Sequence, residues 1–139
     1  MNNKERLDLA RWVVHKAMRQ GADEVSVNIS NTREVGVGIR DGEIENLEES
    51  TRNSLNLSIY ANSRYSNHST NDLRKQSLEK LIDEAVSMTE YLSQDPYRSL
   101  PDPEYYEGQK SKELRIRDSA FDELSSEKRI KYAFEIEKA

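Results

Sequence analysis

The sequence predicts an α+β fold: an N-terminal helix, an antiparallel meander of about five strands, a long helix and a truncated C-terminal helical segment. Three observations carry this. Apolar residues recur at helical spacing before Gly21, switch to alternation between Val25 and Ile59, and return to helical spacing after Asn71. Tight-turn residues punctuate the alternating stretch, which favours hairpins over a Rossmann-type parallel sheet.

The first helix is expected from about Asn3 to Gln20, with Leu7, Ala10, Val13, Val14, Ala17 and Met18 on its buried face. Asn2 and Glu5 have the spacing of a capping box, and Gly21 stands where a left-handed C-cap ends a helix. Val25, Val27 and Ile29 then predict a first strand, and Val35, Val37 and Ile39 a second with Gly36 and Gly38 on its opposite face. Asp41-Gly42 predicts a two-residue type I′ turn, since both positions need positive φ. A third strand is expected from Ile44, with Leu47 out of phase. A fourth is expected at Leu55, Leu57 and Ile59, a turn at Ala61-Asn62-Ser63, and a short polar fifth strand from Tyr65 to Ser69.

The long helix is expected to be capped by Asn71 or Asp72, to bury Leu78, Leu81, Ile82, Ala85, Thr89 and Leu92, and to stop at Asp95-Pro96. Residues 95–113 then read as an extended connector pinned by the tyrosines at 91, 97, 105 and 106, with Leu114 and Ile116 a short strand or contact point. Ser125 or Ser126 caps a last helix in the register of Ile130, Ala133, Phe134 and Glu137. That helix reaches Ala139 without a stop signal, so the chain is expected to be a leading piece of a longer protein. The expected division is a domain over 1–95, followed by a connector and helix over 96–139 that begin a further region.

Composition narrows the function classes. The 139 residues include 21 basic and 26 acidic side chains, a net charge of -5, and only 35% are hydrophobic. A lean core under a charged surface follows. No apolar run approaches the roughly 20 residues of a membrane-spanning helix, and Met1 to Glu5 lack a signal-peptide core. A cytoplasmic location without a membrane partner is therefore expected. The absence of cysteine excludes disulfides, thiolate nucleophiles, Fe–S clusters and Cys-based zinc sites. The acidic balance argues against direct nucleic-acid contact.

Few residues suggest chemistry. His15 lies within the first helix, where a packing or solvent-edge role is expected. His68 neighbours Ser66, Ser69 and Thr70, but no Gly-x-Ser-x-Gly elbow exposes a nucleophile. Gly36-Val37-Gly38 lacks the third glycine of a dinucleotide fingerprint, and no zincin, EF-hand or phosphate-loop motif occurs. The acidic residues Glu43, Glu45, Glu48 and Glu49 read as solvated surface rather than a cation site, and Asp41 with Glu43 as turn chemistry rather than an acid–base pair. Trp12, the sole tryptophan, is expected to pack. No catalytic, cofactor-binding or metal-binding residue is assigned.

Four strings in order carry a family resemblance: Gly21-Ala22-Asp23-Glu24, Arg40-Asp41-Gly42-Glu43-Ile44-Glu45, Ser69-Thr70-Asn71-Asp72-Leu73, and Asp95-Pro96-Tyr97 with Leu100-Pro101-Asp102-Pro103. Together, over roughly residues 5 to 103, they resemble the N-terminal domain of the TldD/PmbA family, also called modulators of DNA gyrase. The last string is more similar to the PmbA (TldE) branch.

The resemblance implies a subunit of a cytoplasmic metallopeptidase complex acting in proteolysis or peptide maturation. A TldD-like partner in a hetero- or homodimer and a peptide substrate go with it. In TldD-like proteins a downstream His-Glu-x-x-x-His-type helix binds the metal. No such residue falls in this chain, so any zinc is expected in the full-length protein or its partner subunit, and the fragment alone is expected to be inactive. Two services suit such a domain: a sheet edge that accepts an extended peptide, or a sheet face that docks a partner, with Asn28, Ser30, Gly36 and Gly38 permitting close backbone approach. The alternatives are a non-enzymatic binding or assembly module and an indirect modulator of DNA gyrase.

Overall fold

The computed structural model describes residues 1–108, 116 and 118–139. Helix α1 spans Asn3–Arg19, strands β1, β2 and β3 span Glu24–Arg40, Glu43–Ala61 and Arg64–Thr70, and helix α2 spans Lys75–Thr89. A 3₁₀ turn covers Pro103–Tyr106. Beyond it lie a single helical turn, α3 (Ala120–Glu123), and α4 (Ser126–Glu137). The chain divides into two compact units, residues 1–32 with 52–105 and residues 33–51 with 106–139. Strands β1 and β2 contribute to both.

The local signals act as their chemistry dictates. Asn2 Oδ1 accepts from the Glu5 amide and Glu5 returns a bond to the Asn2 amide, each at 2.9 Å, closing the capping box of α1. At the other end the Ala22 amide bonds the Ala17 carbonyl and the Gly21 amide the Met18 carbonyl, each at 3.2 Å, with Gly21 at φ +108°. This is a complete Schellman motif, with the buried Ala22 and Ala17 as its apolar contact. A Cβ at Gly21 meets nothing within 4 Å, so backbone strain alone sets its cost. Gly21→Ala is expected to destabilise the domain by about 1–2 kcal/mol, read as a lower urea midpoint at unchanged slope.

The sheet has three strands in the order β1-β2-β3 among the described residues, not five. The expected first and second strands are one strand, and so are the third and fourth. Val25, Val27, Ile29, Val35, Val37 and Ile39 all share one parity, so no turn separates them. The polar interval that suggested a break is satisfied across the ladder. Ser30 Oγ meets Ser54 Oγ and Asn31 meets the Asn53 carboxamide, each at 2.8 Å, and the Arg33 guanidinium bonds Glu49 at 2.6 Å. Asp41 and Gly42 take φ of 54° and 74°, the expected type I′ hairpin. Asn62 and Ser63, at 50° and 58°, form a second one between Ala61 and Arg64.

In the first unit, α1 and α2 cover one face of the sheet, and α2 packs against α1 and β3. The core joins Val13 and Ala17 of α1, Leu55, Leu57 and Ile59 of β2, and Leu78, Ile82, Ala85 and Val86 of α2. The central strand is shielded by neighbours on both edges and helices above, so its alternation becomes complete burial. Trp12, Leu9, Val25, Val27 and Ile29 pack partly buried around this core. Leu7 and Met18, expected inside, are 51% and 44% exposed, because α1 turns the Leu9, Val13 and Ala17 side inward.

Two further expectations are corrected. Neither Asn71 nor Asp72 caps α2: the N-cap is Arg74, without a side-chain bond. Asp72 instead accepts from the Arg74 amide, the Arg74 guanidinium and Ser77 Oγ, bracing the entry to the helix. The helix ends at Thr89, before Leu92, through i→i−3 bonds from the Tyr91 and Leu92 amides, while Arg64 Nε holds the Leu92 carbonyl at 2.9 Å. Leu92 is exposed as a result.

In the second unit the hairpin tip, residues 33–51, lies with α4. Ser125 caps α4 by accepting from the Lys128 amide, and the Glu137 carboxylate accepts from the Gly42 amide at 3.2 Å. None of the described residues of this unit is fully buried. Ile116 is exposed, and Leu114 lies outside the described residues.

Candidate functional site

The residues that suggested chemistry are placed where they do structural work. His68 points inward from β3 in register with Leu57, and its Nε2 lies 3.0 Å from Ser66 Oγ. Ser66 Oγ is 2.5 Å from Thr89 Oγ1, which donates to the Ala85 carbonyl at 2.7 Å. A hydroxyl has one proton, so the direction of the whole chain follows. Thr89 gives its proton to Ala85, Ser66 gives its own to Thr89, and His68 Nε2–H donates to Ser66. The imidazole therefore supplies a proton where a nucleophilic serine would need a base to remove one. The group is a buried polar clasp between β3 and the end of α2. Thr89, on the stripe at helical spacing, reads as core, and only the fold brings it to Ser66.

Burial lowers the pKa of His68 from its ordinary 6.5. The unfolded chain then binds the proton more readily than the native one, so stability is full above pH 6.5 and falls as pH drops below it. Urea titrations of the wild type and His68→Gln between pH 5 and 7.5 are expected to diverge on the acid side: the wild type weakens while the variant stays level there. The arginine beside Asp72 holds that carboxyl well below its ordinary 3.8, so its share is lost only in stronger acid.

His15 is exposed on α1. Two of the four residues in the acidic run are matched by arginines, Glu49 to Arg33 and Glu45 to Arg40, both at 2.6 Å. Among the described residues no three metal-ligating side chains are grouped. No helix among them is long and apolar enough to cross a membrane. The tyrosines expected to pin the connector do not: Tyr97 is 95% exposed, and Tyr91, Tyr105 and Tyr106 also face out. Its backbone amides hold the segment instead, Asp95 N–H donating to the Ser63 carbonyl at 2.6 Å and Leu100 N–H to the Glu24 side-chain carboxylate at 2.9 Å. Arg98 adds a stack over the Tyr65 ring at 4.6 Å.

The surface feature that remains is the outer edge of β1. Among the described residues no strand pairs with it, so half of its backbone groups are available to an extended chain. Within the first unit a groove of about 320 Å³ runs beside this edge, floored by Leu7, Ala10, Val27 and Ile29 and rimmed by Arg6 and Asn28. Asn28 was expected near a docking surface. The α1 residues were not, because Leu7 read as core and nothing local links it to a strand twenty residues away. Of the two glycines expected to allow close approach, a Cβ on Gly38 meets Asn46 Cβ at 3.4 Å within the hairpin, and Gly36 faces open space.

Residues 25–89 match the PmbA/TldA metallopeptidase domain 1. The chain is 30% identical over 83 residues to a protein named Metalloprotease PmbA from Escherichia coli O157:H7, covering 60% of this chain and 18% of that one. It is 29% identical over 91 residues to a Metalloprotease PmbA homolog from Haemophilus influenzae, covering 66% of this chain and 20% of the relative. The chain thus spans about a fifth of the length of these relatives. A crystal structure of a proposed modulator of DNA gyrase from Bacteroides thetaiotaomicron superposes over 100% of this chain and 32% of its own, with a TM-score of 0.91 and 29% identity. TldE from Thermococcus kodakarensis shares the fold over 68% of this chain and 22% of its own, at a TM-score of 0.61 and 16% identity. Through residues 25–89, the chain matches the first domain of the PmbA/TldA metallopeptidase family.

Proposed function

We propose that this chain is the N-terminal docking domain of a PmbA (TldE)-like subunit in a cytoplasmic metallopeptidase complex. In this reading it receives an extended peptide along the outer edge of β1, while the cutting chemistry resides elsewhere in the assembly. The observation that supports this most is the 17-residue strand β1 at the sheet edge with a groove beside it. Strand addition uses main-chain hydrogen bonds, so it supplies affinity without a demanding sequence preference. That suits a domain delivering unfolded substrate to a peptidase.

Hydrogen exchange on the full-length complex tests the reading. Added peptide substrate is expected to slow exchange in residues 24–32 more than in β3. Unchanged exchange there removes the docking role. The 139-residue chain itself is expected to leave peptides uncut when zinc is supplied, and cleavage by it would overturn the assignment of the chemistry to another part.

A further inference from the structure

We propose that the groove between α1 and the outer edge of β1 selects an extended peptide segment with apolar side chains at alternate positions and a glutamate or aspartate side chain among them, held by Arg6. This rests on the docking reading above and names the class of segment that the edge takes. A peptide added to β1 as a strand turns every second side chain toward the helix layer. There α1 presents Asn3, Arg6, Leu7 and Ala10 at three- and four-residue spacing, a face beside the one that packs in the core. Leu7 and Ala10 meet Val27 and Ile29 across the groove, and Leu7 is half exposed, so aliphatic side chains of the segment have an apolar floor to cover.

Charge decides the polar position. The groove holds one cation and no carboxylate, in a chain whose net charge is -5. The Arg6 guanidinium donates to Asn3 Oδ1, and among the described residues no carboxylate stands within ion-pair distance of it. A planar fork of donors beside an apolar floor is complementary to a carboxylate and repels a lysine. Within the first unit the edge continues beyond the groove to Thr32, so a segment running through it meets Arg6 with an internal side chain rather than a chain terminus.

The test uses the full chain and end-blocked synthetic peptides, Thr-Val-Thr-Glu-Thr-Val-Thr and its twin with lysine in place of glutamate, followed by fluorescence anisotropy. The glutamate peptide is expected to bind at least about tenfold more tightly than the lysine peptide, with a preference that shrinks in high salt. Arg6→Glu is expected to invert the order and Arg6→Gln to level it. Equal binding of the two peptides to the wild type overturns the proposal, as does a preference that Arg6→Glu leaves in place. A third probe, the glutamate peptide N-methylated at alternate amides, separates the two readings. If it binds as tightly as the parent, strand addition itself falls. If methylation abolishes binding but the charge of the central residue does not matter, only the selectivity for carboxylate falls. Failure of every peptide to bind removes both.

Discussion

Leu57→Ala is expected to remove about 3–4 kcal/mol of stability, seen as a large drop in the urea midpoint with little change in slope. Leu57 is fully buried in the C-terminal part of β2, between the β3 partner His68 and the side chains of α1 and α2. It loses its transfer free energy and leaves a cavity that a central strand, fixed on both edges, does not close. Leu47 supplies the control: same strand, same residue type, same parity, but 52% exposed. Leu47→Ala is expected to change stability by no more than about 0.5 kcal/mol. Comparable losses at the two positions would mean that the core does not sit where the structure puts it.

The second large effect concerns the clasp at the end of α2. Thr89→Val keeps shape and volume but takes away the acceptor for the Ser66 hydroxyl and the donor to the Ala85 carbonyl. Leaving the buried Ser66 proton without its acceptor, while His68 still donates to the same oxygen, is expected to cost about 1–3 kcal/mol. The sign of the coupling is the stronger test. Adding Ser66→Ala to Thr89→Val is expected to cost less than the sum of the single changes, because the orphaned hydroxyl then disappears. Nitrogen shifts of the His68 ring give an independent readout, with the neutral Nε2–H form expected in the wild type. A ring protonated only at Nδ1 would reverse the chain of donors and reopen Ser66 to a base.

These two cases mark the boundary of what local pattern reveals. Asn2 with Glu5, Gly21, Asp41-Gly42 and Ser125 each act on backbone groups within a few residues, so their spacing foretold caps and turns that the structure contains. The parity of Leu55, Leu57 and Ile59 foretold their burial. The strand count was misread because Asn31, Arg33, Glu49 and Asn53 look like loop when taken singly. They are strand residues because their partners lie across the ladder, 16 to 22 positions away. The Asp72 carboxylate was misread as a helix cap for the opposite reason: the adjacent Arg74 competes for it more effectively than the first helical turn does.

The sequence by itself determined the class of fold, the ends of α1, the two hairpin turns, and the order of strings that resembles the PmbA/TldA family. Those features depend on neighbours along the chain, and hydrogen bonding or steric restriction over a few residues settles them. Tertiary structure alone decided that three long strands replace five short ones, that Ser66, His68 and Thr89 share one proton path, and that Leu7 and Arg6 stand beside the open edge of β1. Each of those joins groups far apart in sequence, and which of them meet depends on how the two helices settle over the sheet to bury Val13, Leu57 and Ile82.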